Sequence, residues 1–278
     1  MGGSQNQPDG SRRRLPRPAV LFGVGILGLF VFFALWPALF ATHDPLEQNV
    51  SRRLDVPSTS HVFGTDELGR DIFSRMIHGV RVSLMTAGIA VVVSLFLGVP
   101  VGLVGGYRGG TVDEVLSRTT DLLLSFPPIL VAMTIIAVSG QNSIVVAVAI
   151  GVVYSPSFVR ITRAMTLQVK ALPYVDAVRS AGASNLYIMA FTILPNCLST
   201  ISVQALLVAS RAIILEAGLS FLGLGTPPPA PTWGNMLSMS RNFIYQQPWY
   251  GFFPGVFIVA LVLSLQLLSG VGRRTSKA

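Results

Sequence analysis

The chain has 278 residues, 51% of them hydrophobic and only 12% charged, with a net charge of +8. Soluble domains of this size carry about 25% charged residues, so the deficit excludes an ordinary soluble globule. The basic residues form no single patch, which argues against a nucleic-acid surface, and one cysteine, Cys197, excludes an internal disulfide.

Residues 1–18 are polar and rich in Gly, Pro and Arg, and read as a disordered tail. Ser11-Arg12-Arg13 before an apolar run has the look of a twin-arginine export signal. The run is too long for the apolar part of a signal peptide and no A-x-A site follows, so a retained anchor is expected. Six segments approach the roughly 20 apolar residues a span needs: about 19–40, 82–107, 115–138, 143–161, 195–215 and 251–270. In lipid every backbone group must bond within its own segment, so these are read as helices.

Between the first two segments lies a long polar loop, 42–79, holding His43, His61 and His78. Their spacing is irregular and no HExxH occurs, so no metal site is expected. Gly64 and Gly69 read as turns, and Asp71 opens an amphipathic helix leading into the second span. That span carries Gly98, Gly102 and Gly106 at every fourth position, a flat stripe for close helix packing, and Pro100, which predicts a kink. The third segment begins with Asp113, Glu114, Arg118 and Asp121. Arg118 and Asp121 share a face and are expected to pair, while Phe126-Pro127-Pro128 should kink the helix. Arg160 and Arg163 close the fourth span.

The segment 174–196 then interrupts the apolar half. Asp176-Ala177-Val178 opens a helical pattern and Gly182 breaks it. A second short helix, 185–192, is closed by Leu194-Pro195, with Pro195 in the first turn of the next helix. Turn chemistry of this kind fits an ordinary connector equally well. The fifth span holds Arg211, with Glu216 five residues on. Beyond it three consecutive prolines, Pro227 to Pro229, forbid helix, and Trp233 and Trp249 suit a membrane-interface belt.

Arg12, Arg13, Arg14, Arg17, Arg108, Arg160, Arg163, Lys170, Arg179, Arg273, Arg274 and Lys277 fall beside one set of alternate span ends; Arg52, Arg53, Arg70, Arg75 and Arg241 fall beside the other. The positive-inside rule places both termini and the segment 174–196 in the cytoplasm. A P-loop needs lysine after glycine; Lys170 follows Val169 and Lys277 follows Ser276, so no Walker A motif is present. If this chain serves uphill transport, another polypeptide hydrolyses the ATP.

Three stretches carry a family resemblance across residues 20 to 270. Residues 61–84, HVFGTDELGRDIFSRMIHGVRVSL, resemble the FGTD-x-x-GRD-x-x-SR segment of dipeptide, oligopeptide and nickel permeases, in their C-type subunit. Residues 216–237, EAGLSFLGLGTPPPAPTWGNML, resemble the same proteins. Asp176-Ala177-Val178, Gly182 and Leu194-Pro195 resemble the EAA…G…LP loop of ATP-driven importer permeases. Asp176 stands where Glu is commonest, Val178 where Ala is and Thr192 where an apolar residue or His is usual, and the acidic C-terminal tail frequent among relatives is missing.

The resemblance implies an all-α polytopic membrane protein with about six transmembrane helices, a MetI-like permease of a type I importer. It implies a permease domain over 19–272 with its core over about 80–272, between tails at 1–18 and 273–278. The expected location is a bacterial inner membrane, in contact with lipid. Tyr174, Asp176, Ala177, Gly182, Ala183, Leu194 and Pro195 are implied to couple to an ATPase. Gly64, Thr65, Asp66, Gly69, Arg70, Asp71, Arg211, Glu216 and Trp233 are candidates to face a binding protein or gate the path. Implied partners are a second homologous permease subunit, two ATPase subunits and an extracytoplasmic solute-binding protein, with no nucleic acid. No cofactor is expected on this chain; ATP and magnesium belong to the ATPase subunits. Di- or oligopeptide is the leading substrate class, with nickel or a metal chelate as the alternative. Haem, glutathione and some sugars also use such permeases. A membrane enzyme acting through Asp121, Arg211, Glu216 or a histidine lacks any nucleophile elbow, metal motif or carboxylate pair. A passive channel would not need a coupling loop.

Overall fold

The structure, a computed structural model, describes residues 17–275. All but the last two residues of the expected N-terminal tail, and the final three of the expected C-terminal one, lie outside the described residues. Eleven helices follow in order: α1 (Arg17–Leu35), α2 (Pro37–Phe40), α3 (Ile72–Arg108), α4 (Gly110–Ser125), α5 (Pro128–Ser139), α6 (Ser143–Lys170), α7 (Pro173–Ser180), α8 (Asn185–Tyr187), α9 (Leu194–Phe221), α10 (Trp233–Ser240) and α11 (Pro248–Thr275). Five are long and apolar enough to cross a membrane, or six if the bent pair α4–α5 is one span.

Several boundaries differ from the sequence reading for local reasons. The first span ends at Leu35 rather than at residue 40, because Trp36 precedes Pro37 and takes a non-helical conformation, φ −128°. The second runs for 37 residues, since Asp71 caps it by accepting a hydrogen bond from Ser74 N–H at 2.8 Å. At 1.5 Å per residue that is roughly 55 Å, longer than the hydrocarbon core, so its first turns stand clear of the membrane. The expected kink at Phe126-Pro127-Pro128 is a full break, with α4 and α5 bent by 90°. The two ends of this pair are tied to opposite ends of the bundle. Asp113 pairs with Arg163, whereas Gln141 Nε2 donates to the carbonyls of Gly223 and Gly225 at 2.8 Å. The pair therefore traverses the bundle as one broken span.

The glycine stripe of α3 lies where the sequence placed it. Gly98, Gly102 and Gly106 meet the backbone and β-carbons of α6, from Ser155 to Thr166. Ser94 Oγ adds a hydrogen bond to the carbonyl of Gly151 at 2.7 Å. Missing side chains let the two backbones approach, which drives helix association where lipid supplies no hydrophobic force.

The charges on α4 pair differently from the expected Arg118–Asp121 contact. Glu114 takes Arg118 at 2.7 Å on its own helix, while Asp121 takes Arg160 at 2.8 Å and Asp113 takes Arg163, both from α6. Glu one turn before Arg is the favoured helical order, and α6 delivers its two arginines to the same face.

Buried apolar side chains form two clusters, one toward each end of the bundle. One joins Phe30, Met76, Ile150, Leu219, Trp233 and Leu261; the other joins Leu103, Tyr107, Phe158, Val175, Ile188 and Ile193. Each cluster supports one of the two regions singled out by the sequence.

Candidate functional site

At the second cluster the chain turns out of α6 into α7. Lys170 closes α6 by donating through Nζ to the carbonyl of Tyr107, and its ammonium sits 5.4 Å from that ring's centre. The Tyr107 hydroxyl donates to Asn185 Oδ1 at 2.8 Å. Three elements meet at this tyrosine, which sequence reasoning passed over; a lone lysine between two apolar helices was its only signal.

Helix α7 ends in the hydrogen-bond pattern of a Schellman turn. Gly182 N–H donates to Arg179 C=O at 3.0 Å and Ala183 N–H to Val178 C=O at 3.4 Å. Gly182 has φ +86°, a conformation that costs any residue with a β-carbon. The bend read from the sequence is thus present, and Ser184 begins the next helix by accepting from Tyr187 N–H at 3.3 Å.

The expected second helix, closed at Leu194-Pro195, is not a separate element. Residues 185–221 form one continuous helix, in which Ile188–Ile193 is a π-helical turn. The wider turn accommodates Pro195, whose missing N–H and bulky ring would disturb an ordinary α-helix. The segment is therefore joined rigidly to the fifth span.

Its two faces differ. Val175, Ile188 and Ile193 are fully buried. Leu172, Tyr174, Leu186, Tyr187 and Phe191 are exposed, the last by 69%. Asp176 and Arg179 pair at 3.0 Å on the surface. Large apolar side chains thus project together from this segment, with buried neighbours holding them.

At the other end, residues 42–71 and 222–247 fold against the first cluster. Gly64 and Gly69 have φ +77° and +72°, and a β-carbon on Gly69 would collide with the carbonyl of Asn49. Asp66 Oδ1 accepts from the N–H groups of Leu68 and Arg70 at 2.9 and 3.0 Å. Its Oδ2 accepts from Arg70 Nε at 2.6 Å and lies 3.4 Å from Arg75 Nε. Arg70 Nη2 donates to Glu67 Oε1 at 3.0 Å, and Tyr250 Oη donates to Glu67 Oε2 at 2.7 Å. Two carboxylates and two guanidinium groups thus neutralise one another, as buried charges must.

This geometry corrects the expected roles of several residues. Gly64, Thr65, Asp66, Gly69, Arg70 and Asp71 are all buried, so they build the loop from within rather than face a partner. Trp233 is fully buried too, not an interface-belt residue. Its Nε1–H donates to the carbonyl of Met76 at 3.1 Å, and its ring packs edge-on against Phe30 and Phe257. The physical reason is shared: each carries a donor or an acceptor that the loop or the start of α3 satisfies internally.

Glu216 is buried and accepts from Ser220 Oγ at 2.8 Å through Oε1. Arg211 is exposed on the wall of α9 and forms no ion pair among the described residues. Two of the three histidines, expected to have no common site, come together: His43 and His61 stack at 4.5 Å beside Asp71. His78 bonds instead to the carbonyl of Ser74.

A family model described as binding-protein-dependent transport system inner membrane component matches residues 98–273. The dipeptide transport system permease protein DppC of Alkalihalophilus pseudofirmus is 40% identical over 248 residues, covering 89% of this chain and 82% of that protein. The di/tripeptide transport system permease protein DppC of Pseudomonas aeruginosa is 40% identical over 254 residues, covering 89% and 84%. The glutathione transport system permease protein GsiD of Pectobacterium atrosepticum is 37% identical, covering 92% and 86%. Among solved structures, an inward-facing methionine ABC transporter, MetNI, contains a chain of the same fold, with TM-score 0.61 at 18% identity, covering 73% of this chain and 95% of that one.

Proposed function

The chain belongs to the family of binding-protein-dependent transport system inner membrane components, and from that membership we propose that it carries small peptides through the bacterial inner membrane as one permease of an ATP-driven importer. The observation that carries the coupling half of this reading is the bent segment 172–191, anchored by Val175 and Ile188 and presenting Tyr174, Leu186, Tyr187 and Phe191. An ATPase that pushes on this face moves α9 directly, because the π-turn joins them into one helix. ATP and magnesium are assigned to two ATPase subunits, and the solute to an extracytoplasmic binding protein. A second permease subunit would cover apolar residues left exposed on α4, α5 and the break between them, such as Leu122, Leu130 and Phe126. The peptide class follows the names of the two DppC relatives reported above.

Reconstituting the chain with its partner subunits in vesicles tests this reading. Peptide-loaded binding protein is expected to stimulate ATP hydrolysis and drive uptake; hydrolysis indifferent to every peptide in a panel would move the substrate to another class.

The orientation proposed from charge asymmetry puts residues 42–71 and 222–247 outside and both termini inside. A cysteine at exposed Ser58 should then react with an impermeant reagent in intact cells, and one at exposed Ser180 only after the membrane is opened. The reverse pattern at either position would overturn this topology.

Arg211 is assigned to the translocation path. A guanidinium inside a span costs roughly 2.5–3.5 kcal/mol at the centre by insertion scales unless water or a polar group meets it; Arg211 is exposed, has the Tyr154 side chain as an electrostatic neighbour and makes no ion pair among the described residues. Arg211→Gln should reduce uptake severalfold while the amount of assembled complex stays constant. Unchanged uptake would identify it as a side chain that snorkels to the interface.

A further inference from the structure

We propose that His43, His61 and Asp71 form a binding site for a divalent transition-metal ion of the zinc and nickel class, on the face of the bundle opposite the ATPase-coupling segment. One donor atom from each residue converges: the three atoms all lie within 4.8 Å of one another. His61 Nδ1 is 2.9 Å from Asp71 Oδ1, and His43 Nδ1 is 3.9 Å from the same oxygen. The three residues come from separate stretches, so the fold rather than the sequence assembles them.

The surroundings hold these donors as an outer shell holds metal ligands. Asp71 Oδ2 accepts from Ser74 N–H at 2.8 Å and Thr42 Oγ1 at 3.3 Å, which turns Oδ1 toward the imidazoles. His43 N–H donates to Ser74 Oγ at 3.0 Å, and His61 N–H to Ser58 Oγ at 3.1 Å, so both ligand backbones are fixed. A cavity of about 210 Å³ opens on the group, and Asp44, Glu47 and Asn49 share its wall with the ligands. Three carboxylates against one guanidinium, Arg52, make the cavity attractive to a cation. Two imidazoles and a carboxylate suit zinc or nickel; magnesium and calcium prefer all-oxygen sets. Three protein ligands leave a further position for water.

One contact opposes loading. Arg52 Nη1 lies 3.2 Å from His61 Nε2 and can only donate, so in this structure the Nδ1 of His61 carries the proton and donates it to Asp71. A metal needs that lone pair. Binding at Nδ1 therefore moves this one hydrogen, by exchange with solvent, to Nε2, with no net proton released, and breaks the Arg52 contact. The two rings lie 28° from parallel, and His43, about a third exposed, is the one that turns to complete the site.

Equilibrium dialysis of the full-length permease, assembled with its partner subunits in lipid nanodiscs, tests this with zinc and nickel as probes and magnesium as a competitor. Wild type should bind one zinc per copy that His43→Ala weakens at least roughly tenfold, with His78→Ala unchanged and Arg52→Met tighter than wild type. The His43 ring is about a third exposed, and besides its stacking on His61 its one hydrogen bond is to Thr42, whereas its backbone N–H keeps its bond to Ser74 in the alanine variant, so its removal leaves the loop folded. Cobalt substitution should give a visible spectrum that His43→Ala abolishes. Equal zinc binding by wild type and His43→Ala, or binding that magnesium displaces, would overturn the proposal and leave the trio as a hydrogen-bonded brace.

Discussion

Gly182→Val should abolish uptake while the chain still reaches the membrane in normal amount. At φ +86° a valine meets its own backbone, although nothing else lies within 4 Å of the position. The cost is local: a left-handed residue loses about 1–2 kcal/mol, and β-branching adds to it. The Schellman bonds from Gly182 and Ala183 would open to relieve it. Gly182 itself is exposed and touches no span, so membrane integration is unaffected. The relation between α7 and the helix starting at Asn185 changes, however, and with it the alignment of Tyr174 against Leu186, Tyr187 and Phe191. An ATPase that reads both faces would seat poorly. Gly182→Ala should fall between valine and wild type, and Asp176→Ala should be milder, because its pair with Arg179 is exposed and such pairs contribute little. Peptide-stimulated hydrolysis in the reconstituted complex, together with the ATPase subunit co-purified, reads the outcome. Full hydrolysis and uptake with valine would reduce the segment to a plain connector.

Gly102→Val should have the opposite signature, loss of the folded chain itself. A β-carbon there would lie 2.6 Å from the carbonyl of Val159 and 2.8 Å from the Thr162 β-carbon. Both are rigid parts of α6, so the helices must separate. The same holds at Gly98, against Ser155 and Phe158, and at Gly106, against Thr166 and Arg163. Overpacking of this kind costs about 1–3 kcal/mol at one site, and here it also separates α3 from α6 along their close-packed stripe. The expected result is a lowered Tm and much less monodisperse protein in detergent. Gly88→Ala, on the same helix with nothing within 4 Å of its added carbon, should be neutral or slightly stabilising. Equal stability of Gly102→Val and Gly88→Ala would show that α3 and α6 do not associate through this stripe.

Much of this architecture follows from the sequence alone, and each case rests on a local physical rule. Apolar length marked the spans, because lipid demands internally bonded helices. The four-residue recurrence of Gly98, Gly102 and Gly106 marked the α3 face that meets α6, because the helical period puts i and i+4 on one side. Gly182 marked the bend, because only glycine takes that φ freely. The lack of glycine before either lysine ruled out a Walker A motif in this chain.

Tertiary structure decided whatever depended on distant partners. Nothing near Asp113 or Asp121 in sequence tells that α6 supplies Arg163 and Arg160 in place of Arg118. Asp66 and Trp233 look like surface residues in a polar loop. Their burial depends on Arg75 and on the Met76 carbonyl, the latter 157 positions away from Trp233. The π-turn that carries Pro195 through a continuous helix is a compromise between the ring and the packing of Ile188 and Ile193, and no short-range pattern encodes it. His43, His61 and Asp71 have no recognisable spacing, because the loop that joins them is folded around Gly64 and Gly69 and closed by the cap of α3. Local rules fix where a chain bends and where it stays straight; which charges and donors then meet is settled only when the whole bundle has closed.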